Sequence, residues 1–305
     1  MKRPPLLATL ALLLLAAALF VDWRGSFWCF LAGLALLAVS SVRYLAAQDA
    51  AGPVARYGTP LLFGVWLLVF WELLTKVFEV PRVLLPAPSV IWQSFAAGYG
   101  VLAGDFVQTV LHSVLIGLAA GSGLGFVVGV LIDRSPFLQR GLLPLAALAS
   151  AVPLVGIAPI MVMWFGFDWH SKAAVVVVMT FFPMLVNTLA GLQESGHMER
   201  DLMRSYGASY WRTLWSLRIP VAMPFVFNAL KINSTLALIG AIVAEFFGSP
   251  TEGLGFRIST EAARLNMGLV WAAIGVAALT GSVLYALLAF IERRATFWHP
   301  SIRTT

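Results

Sequence analysis

The side chains with the widest chemical range lie in one polar stretch, residues 194–220, between two long apolar segments. The stretch reads ESGHMERDLMRSYGASYWRTLWSLRIP and mixes acidic, basic and aromatic residues. Neither this stretch nor the rest of the sequence contains an HExxH pattern, a GxSxG pattern or a cluster of histidine and cysteine. A membrane-embedded hydrolase is therefore not predicted, because the nucleophile, the base and the metal ligands that such an enzyme needs are missing.

Apolar residues recur at helical spacing on both sides of Gly207. They are Met198, Leu202, Met203 and Tyr206 before it, and Tyr210, Trp211, Leu214, Trp215 and Leu217 after it. Glycine can end one helix in a left-handed cap and let the next begin at an angle. Pro220 is predicted to start the next membrane helix, where its missing N–H costs little. We expect two short amphipathic helices outside the bilayer, which either need a partner or lie on lipid headgroups.

The composition predicts a polytopic membrane protein. Hydrophobic residues make up 60% of the chain and charged residues 11%, whereas a soluble domain is about a quarter charged. The net charge of +6 is scattered at the ends of apolar segments rather than gathered in a stripe, which argues against nucleic-acid binding. The single cysteine, Cys29, excludes an intrachain disulfide.

Long apolar segments define the expected membrane helices and an all-α fold. They cover residues 61–75, 106–132, 142–165, 173–192, 221–247 and 269–291. Ser89 follows a proline-rich turn and predicts the start of a short surface helix. The glycines of the 106–132 segment, Gly117, Gly121, Gly123 and Gly125, predict close helix packing.

Two further apolar runs precede the linker at residues 43–58. We interpret residues 6–21 and 26–42 as an uncleaved transmembrane hairpin, with a cleaved signal peptide as the alternative. The predicted domains are therefore residues 1–58, the hairpin with its linker, and residues 59–305, the membrane domain.

The distribution of basic residues predicts the orientation. With Met1 inside and strict alternation, 13 of the 20 lysines and arginines fall inside, 6 fall outside, and Lys231 lies within a helix. This bias agrees with the positive-inside rule and places the 194–220 loop and both termini in the cytoplasm.

The 194–220 loop resembles the EAA motif of ABC-importer permeases. That motif is Glu-Ala-Ala, three residues, Gly, nine residues, Ile-x-Leu-Pro. Here Asp201-Leu202-Met203 stands for the first part, Gly207 and Pro220 fall in their expected places, and Leu217 and Ile219 exchange the aliphatic residues. The resemblance implies that the loop is the coupling helix that docks into a cytoplasmic ATPase. It assigns this role to Asp201, Arg204, Ser205, Gly207, Ala208 and Pro220.

From about residue 61 onward, other stretches are similar to the permease branch that serves nitrate, sulfonate, taurine and thiamine-precursor importers. They are residues 85–89, 152–159, 164–166, 182–188, 244–246 and 253–255. The resemblance implies a six-helix type I importer core in the bacterial inner membrane. It also implies a homodimer, two copies of a separate ATPase that binds ATP and magnesium, and an external solute-binding protein. The predicted 6–42 hairpin lies outside that core.

The sequence itself supports a separate ATPase. A phosphate-binding loop needs Gly-Lys, and none of the four lysines follows a glycine. We therefore expect no cofactor and no metal site in this chain. The alternative function is a secondary transporter, which would need embedded ionisable groups for ion coupling. Glu72, Lys231 and Glu245 are the available groups, and all three lie near predicted helix ends.

Polar residues within the membrane segments are candidates for lining the solute path. They are Asn187, Asn228, Asn233, Ser234 and Thr235. Interhelical hydrogen bonds in the bundle are an equally good interpretation of them. Lys231 either attracts an anionic solute or extends to the cytoplasmic surface. Glu72 is interpreted as an interfacial carboxylate paired with Lys76, with an ion site as its alternative.

Overall fold

A computed structural model describes residues 53–135, 137–139, 141, 154–248 and 251–298, together with residues 32, 33, 35, 36, 38, 39, 42 and 43. Most of the predicted 6–42 hairpin, with Cys29, lies outside the described residues. The chain divides at Ser89 into a first unit, Met1–Ser89, and a second unit, Val90–Thr305. The predicted domain boundary after residue 58 stays a prediction.

The first unit contains helix α1, Pro53–Val77, of which Pro60–Val77 is long and apolar enough to cross a membrane. Near its end, the Glu72 carboxylate lies 2.6 Å from the Lys76 ammonium and accepts hydrogen bonds from the Ser89 N–H and hydroxyl at 2.8 and 2.6 Å. These contacts favour the predicted pairing with Lys76 over an ion site.

The rest of the chain is helical, and the described residues contain no strand. The helices are α2 (Pro88–Phe106), α3 (Ile116–Asp133), α4 (Leu154–Phe165), α5 (Trp169–Gln193), α6 (His197–Ser205), α7 (Tyr210–Thr213), α8 (Ile219–Gly248), α9 (Leu254–Ala263) and α10 (Met267–Ala295). In the described residues, five helices are long and apolar enough to span a membrane, and α4 contributes a shorter apolar helix. The all-α polytopic fold is therefore confirmed.

Two pairs of these helices, α2 with α3 and α7 with α8, are continuous through π-helical turns. Residues Val107–Leu115 join α2 to α3, so a single helix runs over Pro88–Asp133. The predicted surface helix at Ser89 is thus the start of this long helix rather than a separate element. The polar Asp105 does not end the helix, because its side chain is 1% exposed and forms an ion pair with Arg257.

Helices α3 and α5 pack through a ladder of small residues. Gly117 faces Val176, Gly121 faces Thr180, Gly125 faces Met184, and Gly129 faces Thr188. A methyl group on any of these glycines would lie within 3.0 Å of atoms of α5. Missing side chains therefore allow the close approach that the spacing of Gly117, Gly121 and Gly125 predicted. Gly123, which was predicted with them, has no neighbour within 4 Å of an added methyl group. On its other face α5 packs against α8, where Gly191 lies against Ala222 and Phe225.

Candidate functional site

Helix α6 ends at Gly207 in a left-handed cap. Gly207 has a φ of +68°, a value that side-chain-bearing residues rarely adopt. Its N–H donates to the Arg204 carbonyl at 2.9 Å, and the Ala208 N–H donates to the Met203 carbonyl at 3.0 Å. This pair of bonds is a Schellman motif, which satisfies two carbonyls at the helix end and turns the chain sharply.

None of the side chains of α6 is buried. Met198 is 86% exposed, Leu202 57% and Tyr206 81%, and they recur every four residues along one side of the helix. Exposed apolar side chains on one side of a helix are typical of a surface that binds another protein or a membrane. Near the start of α6, the Glu199 carboxylate accepts from the Gly196 N–H at 3.2 Å.

The polar residues assigned by the EAA resemblance lie on the same short helix. Asp201 and Arg204 form an exposed pair at 3.4 Å, and the Ser205 hydroxyl donates to the Asp201 carbonyl at 3.0 Å. These contacts support the helix locally and leave most of the polar surface free for a partner. Exposed pairs of this kind contribute little to stability.

Beyond Gly207, the second predicted amphipathic helix is not separate from the membrane. Ser209 caps α7, and its hydroxyl accepts from the Arg212 N–H at 3.4 Å. The π turn Leu214–Arg218 then carries the chain into α8, so one helix runs over Tyr210–Gly248. Pro220 lies just after the wide turn rather than at a new helix start. A proline within a helix removes a hydrogen bond and crowds the preceding turn, and a π turn accommodates both effects.

An ion pair of Asp133 and Arg218 lies where the loop joins the bundle. The Arg218 guanidinium donates to both Asp133 carboxylate oxygens, at 2.6 and 2.8 Å. It also donates twice to the Leu192 carbonyl, at 3.1 and 2.9 Å. The side chains are 10% and 2% exposed for Arg218 and Asp133. Sequence reasoning missed this pair, because it counted Arg218 among the charges of a solvated loop.

The candidate path residues fall on different faces of their helices. Asn233 is fully buried, and its amide donates to the Ser122 hydroxyl at 2.9 Å and to the Thr180 carbonyl at 2.7 Å. It therefore joins α8 to α3 and α5. Ser234 is also buried and donates to the Lys231 carbonyl within its own helix.

The remaining path candidates are accessible. Asn228 and Thr235 are exposed on α8, and half-buried Asn187 donates to the Pro183 carbonyl at 2.8 Å. Lys231 lies 2.7 Å from Glu292 near the end of α10. This pairing uses the charge of Lys231 within the protein and disfavours its predicted role in attracting an anion.

At the far end of α8, Glu245 lies in a second buried polar group, the Glu245 cluster, formed by Glu245, Thr109, Asp105, Arg257 and the 253–255 backbone. The Glu245 carboxylate accepts from the Thr109 hydroxyl and from the Gly255 N–H, both at 2.7 Å. Asp105 accepts from the Gly253 N–H at 2.8 Å and from Arg257 at 2.7 Å. The hydrogen bond from Arg257 to Asp105 raises the pKa of the Arg257 guanidinium.

The described residues contain no group of three or more histidine, cysteine, aspartate or glutamate side chains that could hold a metal ion. The buried charges of both polar groups are instead bound by protein atoms.

Comparisons with known proteins agree with this geometry. The family described as "Binding-protein-dependent transport system inner membrane component" matches residues 121–297. The formylaminopyrimidine transport permease protein ThiX of Halalkalibacterium halodurans is 31% identical over 239 residues, which cover 78% of this chain and 95% of the relative.

Two other relatives are also transport permeases. The riboflavin transport system permease protein RibX of Chloroflexus aurantiacus is 28% identical, with 77% of this chain and 88% of the relative covered. The taurine transport system permease protein TauC of Escherichia coli is 28% identical, with 78% and 88% covered. The chain therefore belongs to this family: it is a permease subunit of an ABC importer for small solutes, not an enzyme, and it works with a separate ATPase and a solute-binding protein.

Proposed function

We propose that α6 and the turn at Gly207 form the surface on which the partner ATPase docks. The observation that carries this proposal is that α6 has no buried side chain and yet exposes Met198, Leu202 and Tyr206. A helix that buries nothing gains little from its own fold, since most helical stability in proteins comes from packing of the apolar face. Docking would supply that packing, and Asp201, Arg204, Ser205 and Ala208 would shape the docked helix end.

The charge bias supports a defined orientation for this surface. Basic residues gather on the side that holds the 194–220 loop, as the positive-inside rule requires for cytoplasmic loops. We place the protein in the bacterial inner membrane with the loop and both termini in the cytoplasm. The partner ATPase, with its ATP and magnesium, would bind there.

One face of α8 supports a path shared with a second copy of this chain. Asn228, Ile232, Thr235 and Ile239 are all exposed, at a spacing that places them on one side of the helix. Amide and hydroxyl groups are costly against lipid tails, so a face carrying Asn228 and Thr235 is better placed on a water-filled path. A homodimer would supply the opposite wall and carry two ATPases. In this arrangement Asn187, Asn233 and Ser234 would support the wall from behind.

The solute is proposed from the relatives, whose names specify formylaminopyrimidine, riboflavin and taurine. We propose a small organic or anionic solute such as a sulfonate, taurine, nitrate or a thiamine pyrimidine precursor. Vesicles that contain the whole importer should take up one of these labelled solutes when ATP is supplied on the side of the membrane that holds the ATPase. Uptake that needs a cation gradient and no ATP would contradict an importer powered by an ATPase.

Replacing Gly207 tests the docking surface. In Gly207→Val, the branched side chain would be forced into a backbone conformation with a φ of +68°. This conformation costs about 1–3 kcal/mol for such residues, so we expect the turn to rearrange. ATP-driven uptake should be lost while membrane insertion, measured by fractionation and by protease protection, is unchanged.

Gly196→Ala is the matched control in the same loop. Gly196 has a φ of −61°, and an added methyl group would have no neighbour closer than 3.7 Å. Its uptake should equal that of the unsubstituted importer. Full transport by Gly207→Val, in a complex that retains its ATPase, would contradict the assignment of the docking surface.

A further inference from the structure

The loop that carries α6 is attached to the bundle through few side chains. Ser195 is buried and donates to the Leu192 carbonyl at 3.2 Å. Leu214 is buried against Leu192 and Ala222. Arg218 makes the remaining strong contacts, and it lies in the π turn that connects the loop to α8. A movement of α6 can reach the membrane helices through these side chains and through the backbone at both ends of the loop.

Arg218 bonds to the ends of two different helices. Asp133 is the last residue of α3, and the Leu192 carbonyl lies in the last turn of α5. The carbonyls at a helix end lack partners within the helix and carry a partial negative charge. A carboxylate at the end of α3 is unfavourable for the same reason, unless a cation neutralises it. One guanidinium therefore neutralises the Asp133 carboxylate at the end of α3 and the partial negative charge at the end of α5.

The geometry requires arginine rather than any cation. The planar fork donates to both oxygens of Asp133, and the remaining donors reach Leu192. A lysine ammonium is a point charge on a flexible stem and cannot reproduce this pattern. The bonds fix the direction of the Arg218 side chain as well as its position, which gives the joint a defined angle.

Aromatic contacts close the joint from the side of the loop. The Tyr210 hydroxyl lies 3.4 Å from the second carboxylate oxygen of Asp133. The guanidinium of Arg134, the residue after α3, lies over the rings of Tyr210 and Trp211 at 5.7 and 5.9 Å. These contacts hold α7 against the end of α3, so the ion pair is enclosed rather than open to water.

We propose that Arg218 is a positioning residue for transport: it locks the end of the loop to α3 and α5, so that these two helices and α8 follow the loop as one body. The proposal rests on the proposed docking of the ATPase on α6. Because removing one partner of a buried ion pair leaves an uncompensated charge, the pair resists opening. Gly207 lies on the other side of the joint, where α6 is exposed and is free to adapt to the ATPase.

The test uses the importer assembled with its ATPase and its solute-binding protein in nanodiscs. A reporter cysteine, Ile239→Cys, lies on the exposed face of α8. Cys29→Ser removes the only native cysteine of this chain. The measured quantity is the rate of modification by a hydrophilic maleimide, without nucleotide and with ATP plus vanadate. In the reporter background, nucleotide should change this rate.

Arg218→Lys is the test variant, because it keeps the charge and loses the fork. We expect the nucleotide-dependent change in rate to shrink by about tenfold, as the loss of charge-assisted hydrogen bonds predicts. The ATPase should still co-purify in the same ratio and hydrolyse ATP. Adding Asp133→Glu, which lengthens the acid, should restore the ion pair and the assembly but not the fork, so the nucleotide-dependent change in rate should stay reduced. Arg293→Lys, an exposed arginine at the end of α10, is the matched control and should have no effect.

Each outcome separates the joint from the docking surface. A full nucleotide response in Arg218→Lys overturns the role of Arg218 and leaves the proposed function intact. No response in the reporter background, or no bound ATPase, contradicts the proposed function itself. If Arg218→Lys does not assemble, the double variant decides. A reduced response in the assembled double variant supports the joint, whereas a full response, or failed assembly, overturns it.

Discussion

The two ends of the long helix Tyr210–Gly248 are both fastened by buried carboxylates, but with different partners. At the loop end, Asp133 is bound by the charged fork of Arg218. At the far end, Glu245 is bound by a hydroxyl, from Thr109, and by a backbone N–H, from Gly255. The first arrangement joins the start of α8 to the ends of α3 and α5, and the second joins α8 both to the π turn Val107–Leu115 and to the irregular segment at residues 253–255.

Lys172 is a further buried cation near the far end of α8, and its hydrogen bonds go to backbone carbonyls. The Lys172 ammonium is buried and donates to the carbonyls of Phe167, Asp168 and Gly248. It thus caps the end of α8, where carbonyls lack partners. At the far end the Glu245 carboxylate is bound by neutral groups and lies beside a separate ion pair of Asp105 and Arg257, whereas at the loop end the buried carboxylate and the guanidinium bind each other directly. The geometry of the loop end therefore depends on one ion pair, and that of the far end depends also on the backbone conformation of residues 253–255.

The same change at both ends breaks this comparison most clearly. Asp133→Asn places an amide against Arg218 and leaves a buried cation without its partner. We expect a loss of about 3–5 kcal/mol in the free energy of unfolding, as for other broken buried ion pairs. Denaturation of the purified permease, monitored by tryptophan fluorescence, measures it. A loss below that of the equivalent change at Glu245 would show that the ion pair is not the stronger fastening.

Glu245→Gln is that equivalent change. Its amide oxygen still accepts from Thr109, but the NH2 group then faces the Gly255 N–H as a second donor. One buried donor without an acceptor costs about 1–3 kcal/mol, so the expected loss is smaller than for Asp133→Asn. Glu252→Gln, an exposed acid before the same segment, is the control and should unfold like the unsubstituted protein. Equal losses in the free energy of unfolding for Glu252→Gln and Glu245→Gln would contradict a structural role for the buried carboxylate.

Arg264→Gln is expected to cause the smallest loss in the free energy of unfolding among these three changes. Arg264 forms an ion pair with Glu261 at 3.0 Å, but its side chain is 67% exposed. Exposed pairs contribute little, so the loss should stay below about 0.5 kcal/mol in the same denaturation assay. A loss comparable to that of Glu245→Gln would mean that burial is not what distinguishes the fastenings of this protein.

Local pattern was sufficient to predict the turn at Gly207 and the membrane helices within the described residues, whereas half of the predicted helix 142–165 lies outside those residues. A long apolar run in lipid has few alternatives to a helix, and a glycine between two amphipathic patterns marks a break. The π turns at Val107–Leu115 and Leu214–Arg218 were not predictable, because they change neither composition nor apolar spacing enough to be read.

Contacts between distant residues explain the rest of what the sequence left open. Arg218 looks like a loop charge until Asp133, 85 residues earlier, is placed beside it. A charge directly next to an apolar segment was the available signal, but it does not name a partner. Asn233 and Thr235 are near neighbours of similar polarity, and only the packing of α8 on α5 decides that one is buried and the other exposed.

The ladder between α3 and α5 has one more consequence. Its four steps, from Gly117 with Val176 to Gly129 with Thr188, advance by four residues on each helix, and the next step is Asp133 with Leu192. Arg218 bridges that fifth step by binding both residues. The glycines that let α3 and α5 approach closely therefore also set how far apart Asp133 and Leu192 lie for the Arg218 guanidinium to bridge them. Replacing one of these glycines by alanine should therefore distort the ion pair of Asp133 and Arg218, although neither charged residue is altered.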